Sequence, residues 1–142
     1  MKVVDITPAD IFQVFEIESA CFSDEALTKS GLESCIANPL YRCVCVKDGE
    51  KIAGFAIFLT GDAAEVIDVV TAPAYRRMGV AKMLLGHFLQ GCDKDVFLEV
   101  REGNTAARAL YKSFGFYEIS VRKNYYSNPA EDAVIMKRDK QI

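Results

Sequence analysis

Apolar and polar positions along the chain change period several times, and each change marks an element. Residues 2–6 read as a short strand. Thr7-Pro8-Ala9-Asp10 then carries the chemistry of a helix start: a capping hydroxyl, a proline suited to the first helical position and an acid at the positive helix end. Ile11, Val14, Phe15 and Glu18 recur at helical spacing, and 24–37 predicts a second helix that stops at Asn38-Pro39. Residues 41–46 and 51–59 predict two strands of a hairpin turned at Asp48-Gly49, and a further strand follows Gly61-Asp62 over 64–71. Beyond it the pattern predicts a helix over 79–90, a strand over 95–101, a helix over 104–114 and strands over 116–122 and 132–137. Hairpin strands followed by a β-α-β-α-β section imply a mixed sheet with helices on its faces. The 95–101 strand is expected to be interior and parallel, covered on both faces.

Composition narrows the class. A chain of 142 residues fits one domain, 1–142, and 51% apolar against 26% charged residues is too hydrophobic for a disordered segment. Seventeen Lys and Arg against 20 Asp and Glu leave a net charge of −3, which speaks against a nucleic-acid partner. No apolar run approaches the roughly 20 residues of a membrane span. The opening MKVVDITPAD, with two acids and no long apolar run, is unlike a signal peptide. The expectation is a cytoplasmic protein with no membrane partner. Cys21, Cys35, Cys43, Cys45 and Cys92 form no C-x-x-C pair and His87 is the one histidine, so no metal is expected. A Cys–His pair through His87 is weighed against thiols acting as small hydrophobes in a reducing cytoplasm. The helical run Leu84-Leu85-Gly86-His87-Phe88-Leu89 favours the second.

Chemistry enters at the end of the 64–71 strand. Val66 to Val70 lead into Thr71-Ala72-Pro73-Ala74-Tyr75 and then Arg76-Arg77-Met78-Gly79-Val80-Ala81-Lys82. A strand feeding a turn and a helix leaves the first helical N–H groups without partners, a natural anion site reinforced by the helix dipole. Gly79 and Ala81 are expected to keep side chains out of the way, while Arg76, Arg77 and Lys82 add positive charge. Cations at a helix start oppose the dipole, so the arrangement makes sense with an anion bound. It is not a Walker A loop, because Val80-Ala81 follows Gly79, and it lacks two of the three glycines of a dinucleotide fingerprint.

Glu99 falls in the middle of the apolar strand 95–101, where a carboxylate costs free energy unless paired or set in a cleft. It reads either as a general base facing a cleft or as half of a Glu99–Arg101 arrangement on one strand face. Asn104 caps the next helix, in which Ala107, Leu110, Tyr111 and Phe114 share a face. Tyr111 is either ordinary core or a phenol leaning back towards the end of the Glu99 strand, as helical side chains do. An acid and a phenol converging beside a phosphate cradle suggest group transfer from a phosphate-tailed cofactor.

These residues resemble the GNAT N-acetyltransferases. Arg76-x-x-Gly79-x-Ala81 is similar to the family's Arg/Gln-x-x-Gly-x-Gly/Ala pyrophosphate signature. Leu98-Glu99-Val100-Arg101, Asn104, Leu110-Tyr111, Gly115-Phe116, Arg122-Lys123-Asn124-Tyr125-Tyr126 and Glu131-Asp132-Ala133 resemble the RimI-type members, which acetylate the terminal alanine of a ribosomal protein. The resemblance covers residues 50–138 well and the first 45 in pattern. It implies an α/β (α+β mixed) GNAT fold: a mixed, largely antiparallel sheet of about seven strands with about four helices, binding acetyl-CoA where the fourth and fifth strands splay. It implies that Val69, Val70 and Thr71 hold acetyl-CoA through backbone groups, and that Arg76, Arg77, Met78, Gly79, Val80, Ala81 and Lys82 form the pyrophosphate loop. Asn104 would contact the cofactor, Glu99 would be the base and Tyr111 the acid. Tyr125 and Tyr126, in a loop between the last two strands, would grip substrate backbone.

The resemblance implies a protein N-terminal peptide as acceptor, from a ribosomal protein in the RimI-type case. The alternatives are a small-molecule amine and a non-catalytic CoA-sensing or peptide-binding module. Freeing an α-amine (pKa ~8) of its proton at pH 7 costs roughly 1.4 kcal/mol, against roughly 4.6 for lysine, so one carboxylate base suits an N-terminal amine. One departure bears on the acceptor. Where RimI-type chains commonly carry Pro-Trp-Ser, this chain reads Cys21-Phe22-Ser23-Asp24-Glu25.

Overall fold

In a computed structural model, which describes residues 1–22 and 26–141, the chain forms seven strands and four α-helices. They are β1 (Lys2–Asp5), α1 (Ile11–Cys21), α2 (Lys29–Ala37), β2 (Tyr41–Asp48), β3 (Lys51–Thr60), β4 (Ala64–Thr71), α3 (Val80–Gln90), β5 (Val96–Arg101), α4 (Thr105–Ser113), β6 (Tyr117–Tyr126) and β7 (Glu131–Arg138). The strands follow the order β1-β2-β3-β4-β5-β7-β6. β4 and β5 run parallel, whereas β1–β2, β2–β3, β5–β7 and β6–β7 are antiparallel. This is the mixed α/β sheet that the sequence pattern predicts, largely antiparallel as the family resemblance implies.

The contacts divide the chain into two compact units, with β4 shared between their ranges. The first comprises Met1–Thr60 and Ile67–Gly91. Thr7 opens it as expected: Asp10 accepts from the Thr7 N–H at 2.9 Å, and Pro8–Asp10 make a 3-10 turn ahead of α1. Val14, Ile17, Leu32, Cys45, Phe55 and Ile57 fill one core, and Phe58 stacks on Phe88 with ring centroids 3.9 Å apart. Such apolar burial is the main favourable contribution to folding.

Several boundaries differ from expectation, among them the end of β6, which runs to Tyr126 rather than to 122, and the starts of two helices. The predicted start of the second helix at Asp24 lies outside the described residues, as do Ser23 and Glu25. α2 itself begins at Lys29, because the Thr28 hydroxyl accepts the Gly31 N–H at 3.0 Å and caps the helix there. α3 begins at Val80, with Gly79 as its left-handed cap. Gly54, in the middle of β3, has no room for a side chain. A Cβ there would lie 2.5 Å from the Val70 carbonyl oxygen and 2.6 Å from Val80 Cγ1.

The second unit comprises Gly61–Val66 and Cys92–Ile142. Ala64, Glu65 and Val66 pair in parallel with Val96, Phe97 and Leu98. β5 is not the doubly covered parallel strand expected. Val96, Leu98 and Val100 are buried, while Phe97, Glu99 and Arg101 are half-buried, and the other neighbour of β5 is the antiparallel β7. The reason is topological. The chain leaving α4 runs along the edge as β6, parallel to β5, and turns back in a hairpin as β7, which inserts between them and takes the place beside β5. As an edge strand, β6 is exposed along nearly its whole length.

Candidate functional site

In the first unit, β4 ends at Thr71 and the chain turns through Pro73–Tyr75 before α3. Val70 is buried, Val69 and Thr71 are half-buried, and the Ala72 N–H donates to the Ala53 carbonyl at 2.8 Å, tying the turn to β3. Arg76, Arg77, Met78, Gly79 and Lys82 are exposed, Ala81 is half-buried and Val80 is buried as the anchor. The backbone takes left-handed φ values of 65° at Arg77 and 78° at Gly79.

A non-glycine residue held there costs of order 1–2 kcal/mol, and such outliers gather at functional loops. Alternating backbone hand turns successive N–H groups to one side, the geometry of an anion nest. A Cβ on Gly79 would meet nothing within 4 Å. The glycine is therefore required by its φ rather than by crowding, and the space before the helix is open. Among the described residues no carboxylate pairs with Arg77 or Lys82. Open space, left-handed backbone and unneutralised cations fit a polyphosphate.

The same unit holds an acid pair, Glu18 buried and Asp68 half-buried, that sequence reasoning passed over as core pattern. Glu18, on α1, is 1% exposed. Its Oε2 accepts the Leu27 N–H at 2.8 Å, and its Oε1 finds no N–H or hydroxyl donor among the described residues. Asp68 on β4 completes it. Burial first, then hydrogen bonding to Glu18, pushes the Asp68 carboxyl from 3.8 up to about 9, so the proton it keeps is the missing donor. A clue was in the sequence: an acid on the apolar face of one helix and another inside an apolar strand.

An acid with a raised folded-state value binds more protons folded than unfolded, so its contribution to stability is complete below about pH 4 and is lost as pH rises towards 9. Asp68→Asn, which keeps a donor for Glu18 and cannot ionise, is expected to flatten that decline. Urea midpoints at pH 6 and pH 9 check this, and equal pH slopes in both proteins would contradict it.

In the second unit Glu99 sits on the half-buried side of β5, its side chain 27% exposed. Arg122 Nη1 lies 3.3 Å from its Oε1, and the Tyr125 hydroxyl donates to its carboxylate. That bond, the charge of Glu99 and partial burial raise the Tyr125 phenol above its ordinary 10.0. Glu65, on β4, is raised by burial and then by the nearby Glu99 charge.

The Glu99–Arg101 arrangement is not formed. Arg101 pairs instead with Glu131 at 3.1 Å and lies 4.3 Å over the Tyr126 ring. Tyr125 and Tyr126 are not in a loop. They end β6, their rings edge-to-face at 5.0 Å, and Tyr126 pairs with Glu131 across the hairpin. Tyr111 is 8% exposed, on the buried side of α4, with its ring edge-on to Phe116 at 5.7 Å. Asn104 Oδ1 accepts the Ala107 N–H at 3.1 Å and so caps α4. The residues that sequence reasoning left without a role are Glu65 and Arg122. They are far apart in sequence, and strand pairing alone brings them to Glu99.

The first unit thus carries a strand–turn–helix loop with open space and exposed cations, and the second a half-buried carboxylate bonded to a phenol. The model of the "Acetyltransferase (GNAT) family" matches residues 11–116, three quarters of the sequence, and the chain belongs to that family of acyltransferases. A Bacillus subtilis (strain 168) protein provisionally named ribosomal protein bS18-alanine N-acetyltransferase is 33% identical over 132 residues, 89% of this chain and 87% of that protein. The ribosomal protein bS18-alanine N-acetyltransferase of Escherichia coli (strain K12) is 41% identical over 93 residues, 61% of this chain and 63% of that protein, less than two thirds of its length. The crystal structure of the Escherichia coli ribosomal-protein-S18-alanine N-acetyltransferase superposes with a TM-score of 0.89 at 29% identity, covering 99% of this chain and 94% of that one.

Proposed function

We propose that the chain transfers the acetyl group of acetyl-CoA to the N-terminal α-amine of a protein, with a ribosomal protein beginning in Ala or Ser as the acceptor class and the cytoplasm as the setting. The observation that carries the reading is Glu99: a half-buried carboxylate on a strand face, with a phenol and a guanidinium turned towards it. The pyrophosphate takes the backbone nest and the cations of Arg76, Arg77 and Lys82. The backbones of Val69, Val70 and Thr71 take the pantetheine, and Asn104 keeps its capping bond while contacting the donor.

The neutral amine attacks the thioester carbonyl and the C–S bond breaks. Glu99 accepts the amine proton through water, and Tyr111 gives its proton to the departing thiolate, leaving an N-acetyl amide and CoA. The thioester is already activated, so positioning supplies much of the rate.

Glu65 beside Glu99 favours a second reading, a small polycationic amine, because two carboxylates suit two ammonium groups. Thiol release with Ala- and Ser-starting peptides against polyamines, amino acids and aminoglycosides separates the two. Turnover of small amines alone would overturn the peptide reading, and CoA binding without turnover of any amine would leave a non-catalytic module. In the same assay Gly79→Ala is expected to raise the acetyl-CoA KM about 5- to 30-fold, the equivalent of roughly 1–2 kcal/mol for forcing a side chain into the left-handed region. An unchanged KM would remove the loop from donor binding.

A further inference from the structure

Two Arg–Glu pairs lie near the end of β5, and they are built differently. Arg101 and Glu131 are each about three quarters buried, at 24% and 25% exposure, and the Glu131 carboxylate also accepts the Gly103 N–H at 2.6 Å. Arg101 further donates to the Pro129 carbonyl at 3.2 Å and lies over Tyr126. That pair is a fixed part of the structure. Arg122 and Glu99 are 3.3 Å apart, yet the arginine side chain is 60% exposed. Its further contact is a guanidinium 5.4 Å over the Tyr125 ring. It stands on an edge strand where the register with β7 slips between Arg122 and Tyr126.

So exposed an ion pair is worth at most about 1 kcal/mol, which makes exchange of the arginine for another cation inexpensive. The groups facing Glu99 are Glu65 from β4 and Arg122 and Tyr125 from β6. From β7, Ile135 is its register partner, and Lys137 is occupied by Asp95 at 3.7 Å and Asp139 at 3.4 Å. Among the described residues one exposed cation thus answers two carboxylates, and the amine acceptor proposed above arrives as a cation.

We infer that Arg122 is the resting counter-ion of Glu99, that the ammonium group of the acceptor displaces it on binding, and that the Tyr125 hydroxyl holds the carboxylate through the exchange. Arg122 and Tyr125 are then positioning residues for the base. This rests on the proposed reading of Glu99, and it adds a competition that the reading does not contain. The acceptor must lose its proton after Arg122 has left, so the same carboxylate first captures the ammonium and then takes its proton through water. Arg122 weakens acceptor binding and keeps the empty base from attracting other cations.

The test has a kinetic and a spectroscopic part. Arg122→Gln should lower the KM for an Ala-starting peptide about two- to fivefold, the equivalent of an exposed ion pair, without moving the acetyl-CoA KM; Arg122→Lys should restore the wild-type value. An unchanged or raised peptide KM would overturn displacement, since a merely structural arginine predicts a loss of binding. Independently of turnover, alaninamide titrated into protein labelled with carbon-13 at the tyrosine ring should move the Tyr125 resonance, and should not do so in Glu99→Gln. If no peptide is acetylated the acceptor class is wrong, and a Tyr125 resonance that stays still under alaninamide overturns the exchange by itself.

Discussion

Glu99→Gln is expected to lower kcat for an N-terminal peptide by about a hundredfold or more while leaving acetyl-CoA binding in place. The amide is nearly the size of the carboxylate, so the packing of β5 between β4 and β7 is kept, and its oxygen still accepts the Tyr125 hydroxyl. What is lost is the ability to take a proton. Val69 to Thr71 and Arg76 to Lys82, the residues proposed to hold the donor, are unchanged in this variant, so CoA affinity measured by calorimetry should match the wild type. Tyr111→Phe should also lower kcat, by less, because the thiolate of CoA is a tolerable leaving group that water can protonate. Full turnover by Glu99→Gln would sink the assignment of the base.

The second large effect is structural. Gly54→Ala places a methyl group 2.5 Å from the Val70 carbonyl oxygen and 2.6 Å from Val80 Cγ1. A side-chain tip can rotate away. A backbone carbonyl in a strand cannot, so β4 or α3 must shift, at a cost of about 1–3 kcal/mol. Val70 and Val80 flank the loop proposed to hold the donor, so the urea midpoint should fall and the acetyl-CoA KM should rise together. Gly91→Ala is the control, since a Cβ there meets nothing within 4 Å. Equal stabilities for the two variants would show that the close approach at Gly54 carries no weight.

How much of this was legible beforehand follows from the range of each interaction. Period and turn chemistry are local, so all seven strands and four helices were placed, with Thr7-Pro8 and Asp48-Gly49 marking their turns. Ends set by a particular cap were less readable: Thr28 rather than an earlier residue starts α2, because its hydroxyl reaches Gly31. Strand order is non-local, and so β7 between β5 and β6 was missed, and with it the half-buried face on which Glu99 lies. The loop proposed to hold the donor could be read because its glycine and cations lie close together in the sequence. The surroundings of Glu99 were not, since Glu65, Arg122 and Tyr125 come to it from two other strands. The left-handed φ of Arg77 has no sequence signal, because nothing in an arginine announces it.

The central claim is acetyl transfer to protein N-termini. It is tested most directly by reading all protein N-termini of cells with and without this chain. The account predicts that a small set of termini beginning in Ala or Ser, a ribosomal protein among them, loses its α-acetyl group when the chain is absent and regains it with the wild type but not with Glu99→Gln. A proteome whose acetylated termini are the same in all three strains would contradict it.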